Sequence, residues 1–144
     1  MAMECRPEII DAAVTAATSV HTALGPGLLE SIYQRALAYE LQLAGLPFAT
    51  EVPLPVRYRG IDLGVGYRAD IIVAEQLILE IKCVSRLDAA HVTQLLTYLR
   101  LSDIRVGFIL NFNHRLLKQG IKRVTDFHPG EPRVPRGDSS DLIR

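Results

Sequence analysis

Apolar residues recur at three- and four-residue spacing in the first part of the chain. Ile10, Ala13, Val14, Ala17, Val20 and Leu24 share one helical face. Pro7 and Glu8 stand just ahead of them. Both suit a first helical turn: proline lacks only an N–H that would be unpaired there, and an acid meets the positive end of the helix dipole. Gly25-Pro26-Gly27 ends that helix, and a second is expected over residues 28–44, with Ile32, Leu37, Leu41 and Leu43 inward and Gly45 as its stop. The period then changes. Residues 47–58 read as extended, with Val52, Leu54 and Val56 alternating. Pro53 and Pro55 cannot donate to a ladder, which puts this strand at a sheet edge. Two further strands are expected over 67–73 and 77–84, joined by Ala74-Glu75-Gln76 as a hairpin. A helix over 87–101 buries Val92, Leu95, Leu96 and Leu99. Strands over 105–112 and 121–127 follow.

That order predicts an α/β fold: an antiparallel meander, then a helical crossover to a further strand, giving a mixed central sheet flanked by helices. The 144 residues suit one domain over residues 1–127. Residues 128–144 hold Pro129, Pro132, Pro135 and many charges. Such a segment buries too little apolar area to offset its ordering entropy, so a flexible tail is expected. A composition 49% hydrophobic and 22% charged is that of a globular chain. No apolar run reaches the ~18 residues of a membrane span. The segment MAMECRPEII lacks the basic-then-apolar order of a signal peptide, so a cytoplasmic protein without membrane partners is expected. Cys5 and Cys83 lie too far apart to make a metal-ligand pair, and Cys83 reads as a small core residue. The net charge of zero disfavours a dedicated, tight nucleic-acid binder but leaves room for a local basic rim. Arg115, Lys118, Lys122 and Arg123 form one basic stretch, readable as a solvated surface or as a phosphate-contacting patch.

The chemistry gathers in the two central strands. In LILEIK, Glu80 and Lys82 are two apart and project to one side of a strand otherwise made of Leu77, Ile78, Leu79 and Ile81. Charge buried there must be paired or coordinated. With a three-residue loop, Val73 lies opposite Leu77, and counting outward puts Asp70 opposite Glu80 on the same face. A two-residue loop would slip the register and turn Asp70 away. Two facing carboxylates repel, and a hard divalent cation relieves the repulsion. The simpler alternative is a satisfied Glu80–Lys82 ion pair with Asp70 merely ending a strand. Glu30 and Tyr33 share a helical face, and read alone they are a first-turn acid and a core aromatic. On the crossover helix, His91, Gln94 and Tyr98 form a polar stripe that either faces a ligand or faces solvent.

Taken together, GPGLLESIY (with Gly27, Glu30 and Tyr33), YRADIIV, LILEIK, HVTQLLTYL and GFILNF resemble in order and spacing the GxxExxY proteins, a family placed within the PD-(D/E)xK nuclease superfamily. The resemblance covers roughly residues 9–126. It implies a restriction-endonuclease-like core. It also implies that Asp70 and Glu80 are metal-binding acids for Mg²⁺ or Mn²⁺, with Lys82 the catalytic lysine, Glu30 an additional helix acid, and Gln94 and Tyr98 supporting residues. Ala69 stands where many superfamily members have proline. The function implied is a divalent-metal-dependent phosphodiesterase acting on DNA or RNA. The alternative is a non-catalytic module that keeps the nuclease fold for binding or assembly. A homodimer and a subunit of a larger complex both stay open.

Overall fold

A computed structural model describes residues 4–126, so the expected tail and the end of the last expected strand, at Phe127, lie outside the described residues. Helices α1 (Pro7–Leu24) and α2 (Glu30–Leu43) come first. Strands β1 (Phe48–Tyr58), β2 (Ile61–Val73) and β3 (Leu77–Lys82) follow, then α3 (Ala89–Ser102), β4 (Val106–Asn111), a 3-10 turn at Leu117–Gly120 and β5 (Ile121–Thr125). The five strands form one sheet in the order β1-β2-β3-β4-β5. Among the described residues, only β3 and β4 are parallel, as α3 crossing between them requires; the other pairs are antiparallel. Among the described residues, no helix is long and apolar enough to cross a membrane.

The sheet has helices on both faces. Ile71, Val73, Leu77, Leu79, Ile81, Phe108 and Leu110 pack against α1 and α2. Ile78, Ile109 and Val124 pack with Leu95, Leu96 and Leu99 of α3. β3 and β4 are therefore covered on both sides and read as nearly unbroken apolar runs. Gly107, at the centre of β4, is where α3 comes closest. A Cβ there would lie 3.0 Å from Leu95 Cδ1 and 3.1 Å from the Ile78 carbonyl oxygen.

Several details depart from the sequence reading. The inward face of α1 is Ile9, Ala13, Ala16, Ala17, Val20 and His21, and Leu24 is exposed. In α2 the buried set is Tyr33, Leu37 and Leu41, while Ile32 and Leu43 face outward. Packing on α1 and the sheet chose the stripe 33–37–41, which the apolar count alone did not separate from its neighbour. Cys83 lies past the end of β3 and is half-buried at the edge of the α1–α2 side. Val92 is likewise half-buried, so the α3 stripe is Leu95, Leu96, Tyr98 and Leu99. The largest departure is β2. It begins at Ile61, six residues earlier than expected, and pairs back on β1 through a tight turn at Arg59 and Gly60, whose φ values are 51° and 78°. Positive φ at both central residues is the primed hairpin turn, whose twist matches that of paired strands.

Candidate functional site at the end of the β2–β3 pair

The loop between β2 and β3 has three residues, and Val73 pairs with Leu77. Ladder pairing runs back as far as Ile71 and Leu79. One step further stand Asp70 and Glu80, and there the carboxylates replace the ladder. The Asp70 N–H donates to Glu80 Oε1 at 2.8 Å, and the Ile81 N–H donates to Asp70 Oδ2 at 2.8 Å. Each acid thus spends one oxygen on the partner strand's backbone. Asp70 Oδ1 and Glu80 Oε2 have no hydrogen bond among the described residues.

The position follows from a change of face in the strands. Ile71 packs on the α1–α2 side, whereas Ala69, two residues away, packs on the α3 side with Val52. On the neighbouring strand, Glu51 lies between Thr50 and Val52, the partners of Ile71 and Ala69. It holds φ at 51°, which is uncommon for a side chain other than glycine. Asp70 is at the point where the alternation shifts, and Glu51 is its neighbour across β1–β2. Glu51 is a nearby acid that the apolar pattern did not single out.

Burial sets the electrostatics. Glu80 is 4% exposed. Desolvation, with the Asp70 charge second, pushes its carboxyl up to about 8. Asp70 is also raised, chiefly by burial, with Glu51 and Glu30 adding to the shift and the Ile81 amide and Lys82 opposing it. Lys82 points to the same side as Glu80 and donates from Nζ to Gln94 Oε1 at 3.1 Å. Among the described residues its amine forms no close ion pair with Glu80, so the simple paired-charge alternative is not what the strand holds.

α3 supplies the neighbouring polar wall. Gln94 meets Lys82, and Tyr98 is 5% exposed on the α3 side of the sheet. The Tyr98 phenol is pushed up to about 12, first by burial and then by the Glu80 and Asp70 charges, so it stays a neutral hydroxyl. The Tyr67 ring meets the Tyr98 ring edge-on at 5.8 Å. His91 does not join this wall. Its Nδ1 accepts from the Asp88 N–H at 3.0 Å, while Asp88 Oδ1 accepts from Ala90 and His91, a reciprocal cap that starts α3.

Two further pieces hold the rim. Glu30 opens α2, and its Oε2 accepts from the Cys83 N–H at 3.2 Å, just beyond β3. Tyr33 fixes that helix start. Its ring stacks on Phe112 at 4.4 Å, and its hydroxyl donates to the Gly25 carbonyl and accepts from the Leu28 N–H at 3.1 Å. Tyr33 is therefore a latch on the loop that delivers Glu30. Asn111, fully buried at the end of β4 and paired with Lys82, exchanges hydrogen bonds with both backbone groups of Val84. It fixes the chain as it leaves Lys82. The sequence signal for it was one amide inside the apolar run GFILNF. The basic stretch from Arg115 to Arg123 leads into β5, two strands from Glu80 and three from Asp70; Lys122 pairs with Ile109, itself the partner of Glu80, and the Arg123 guanidinium lies over the Phe108 ring.

The chemistry of these donors fits a hard divalent cation. Two carboxylates face each other, each keeps one uncommitted oxygen, and the more buried one resists ionising without positive charge nearby. No curated protein matches the chain, and no solved structure matches it. A family model does, over residues 7–124, and its description is the PD-(D/E)XK nuclease superfamily. The chain belongs to the PD-(D/E)XK nuclease superfamily, and its mixed sheet with helices on both faces is consistent with the restriction-endonuclease-like core of that group.

Proposed function

We infer that this protein is a divalent-metal-dependent phosphodiesterase that cuts DNA or RNA, and that it is one of the GxxExxY proteins. The observation that carries the reading is the pair of facing carboxylates, Asp70 and Glu80, with the Lys82 amine on the same side of the same strand. Asp70 and Glu80 would hold Mg²⁺ or Mn²⁺, which when bound supplies activation of water and charge neutralisation at the phosphate. Lys82 Nζ, steadied by Gln94, donates to the attacking water or to a phosphoryl oxygen. Tyr98 keeps its proton and can donate into the same space. Glu30, fixed by Cys83 and the Tyr33 latch, bounds the site from the α2 side.

One observation favours the second reading, a nuclease-fold module that binds or assembles without cutting. Among the described residues, no three His, Cys, Asp or Glu side chains are grouped closely enough to hold a metal ion. A Mn²⁺ titration followed by calorimetry separates the two. The first reading requires one saturable site that Glu80→Gln removes. No saturable heat from the wild type would leave the module.

A further inference from the structure

Beyond Leu54, the outermost residue of β1 in the α3 core, β1 and β2 run on as a two-stranded arm. Every residue from 57 to 64, and Gly66, Tyr67 and Arg68, is exposed. In a strand, successive residues point to opposite faces, so exposure of the whole run from 57 to 64 means that neither face is covered there; nearer the sheet, Leu54 and its partner Tyr67 meet α3. Tyr58, Ile61 and Leu63 are about 60% exposed at its end. A bare two-stranded hairpin is marginal in water, and one with this much exposed apolar surface is suited to a partner.

The charge on the arm says which partner. Arg57, Arg59 and Arg68 stand against a single acid, Asp62, on a chain whose net charge is zero. Asp62 lies opposite Arg57 in register, but its carboxylate accepts from the Gly64 N–H at 2.8 Å. Arg59 lies over the Tyr58 ring at 5.7 Å from its centroid. The arm is continuous with the site, because β2 carries Tyr67 against Tyr98 and then Asp70 against Glu80. From Ile61 at the turn to Asp70 is nine residues of strand, roughly 30 Å of reach.

We propose that the β1–β2 arm is a nucleic-acid grip: Arg57, Arg59 and Arg68 bind the phosphodiester backbone of a strand that passes across the Asp70–Glu80 site. This rests on the reading of that site as a nuclease centre, and it adds where the substrate lies. Arginine forks suit phosphate oxygens, and the Tyr58 and Tyr67 rings offer faces on which unpaired bases stack. The neutral charge of the whole chain then hides a local basic element next to an acidic centre.

The test uses the full chain in EDTA, where the proposed cutting is off. Binding to labelled single-stranded DNA, duplex DNA and RNA is followed by fluorescence anisotropy across a salt series. The wild type should bind at least one of the three with affinity that falls steeply with salt. The triple variant Arg57→Ala, Arg59→Ala, Arg68→Ala should bind at least about tenfold more weakly, with a log–log salt slope shallower by about two to three. Changing the same three residues to Lys should keep most of the slope, and equal melting temperatures show that the fold is intact. Wild-type affinity and slope in the Ala variant, or no binding by the wild type, overturns the proposal. So does a variant whose sedimentation shifts from dimer to monomer while its nucleic-acid binding is unchanged, which would make the arm a contact between copies. Arm-dependent binding without metal-dependent cutting would sink only the nuclease reading. Cutting and binding that ignore the arm would sink only the grip.

Discussion

Asp70 and Glu80 are joined through the backbone as well as through their charges: the Asp70 N–H donates to Glu80 Oε1 at 2.8 Å, where the β2–β3 ladder has already stopped. The acids end the ladder and take over its work. One oxygen of each stitches the strands, and the other makes no hydrogen bond among the described residues. This makes the pair structurally tolerable and electrostatically tense at once, and each consequence can be measured.

The first consequence is a dependence of stability on pH. The folded-state pKa of Glu80, about 8, lies above its ordinary value of 4.5. The folded chain therefore holds a proton that the unfolded chain releases between those values. Stability is undiminished below about 4.5 and falls as pH rises toward about 8. Asp70 is raised too and acts in the same direction. Glu80→Gln keeps an acceptor for the Asp70 N–H and cannot ionise. In EDTA at about pH 8.5 it should be more stable than the wild type by on the order of 1–3 kcal/mol, and the advantage should vanish near pH 5. Denaturant melts at the two pH values check this; parallel wild-type and variant profiles would mean that Glu80 is ionised and satisfied.

A second consequence concerns Tyr33. Tyr33→Phe keeps the stack on Phe112 but removes the bonds to Gly25 and Leu28. Loss of buried partners should cost about 1–3 kcal/mol. Amide exchange should also speed at Leu28 and at Cys83, whose N–H is held by Glu30. A stability loss with unchanged exchange at Cys83 would show that the latch does not position Glu30.

The third compares two residues on α3. Leu95 is 1% exposed and lies over Gly107, so Leu95→Ala should lose roughly 2–5 kcal/mol. Gln94 is half-buried and meets Lys82 at the site rim, so Gln94→Ala should shift stability by no more than ~0.5 kcal/mol. Equal, large losses in chemical denaturation would make Gln94 a core hydrogen-bonding residue.

What was legible in the sequence was what parity controls. A three-residue loop fixes which β2 residues face which β3 residues, so the Asp70–Glu80 apposition followed from counting, and the two-residue step to Lys82 followed from the pleat. Proline at positions 53 and 55 marked β1 as an edge, and the crossover from β3 to β4 followed from the intervening helix. The arm was not legible. Ile61, Leu63, Val65 and Tyr67 do alternate with Asp62, Gly64 and Gly66, but aspartate and glycine are poor strand formers and read as a turn, which hid the strand. Asn111 and the Tyr33 latch were missed because both act on backbone groups, which composition and periodicity do not report. His91 looked like part of the site stripe, but its spacing from Asp88 served the helix cap.

Whether Asp70, Glu80 and Lys82 together form a metal-dependent cutting centre is decided by cleavage assays on the purified chain. The panel holds single strands, duplexes, branched junctions and RNA, each with Mg²⁺, Mn²⁺ or EDTA. At least one substrate should be cut with metal and none in EDTA. Lys82→Ala should lose about a hundredfold or more of the activity with Mn²⁺ still bound, and Glu80→Gln should lose both cutting and metal binding. Cleavage that survives both substitutions, or no cleavage of any substrate by the wild type, would show that these three residues are not a cutting centre.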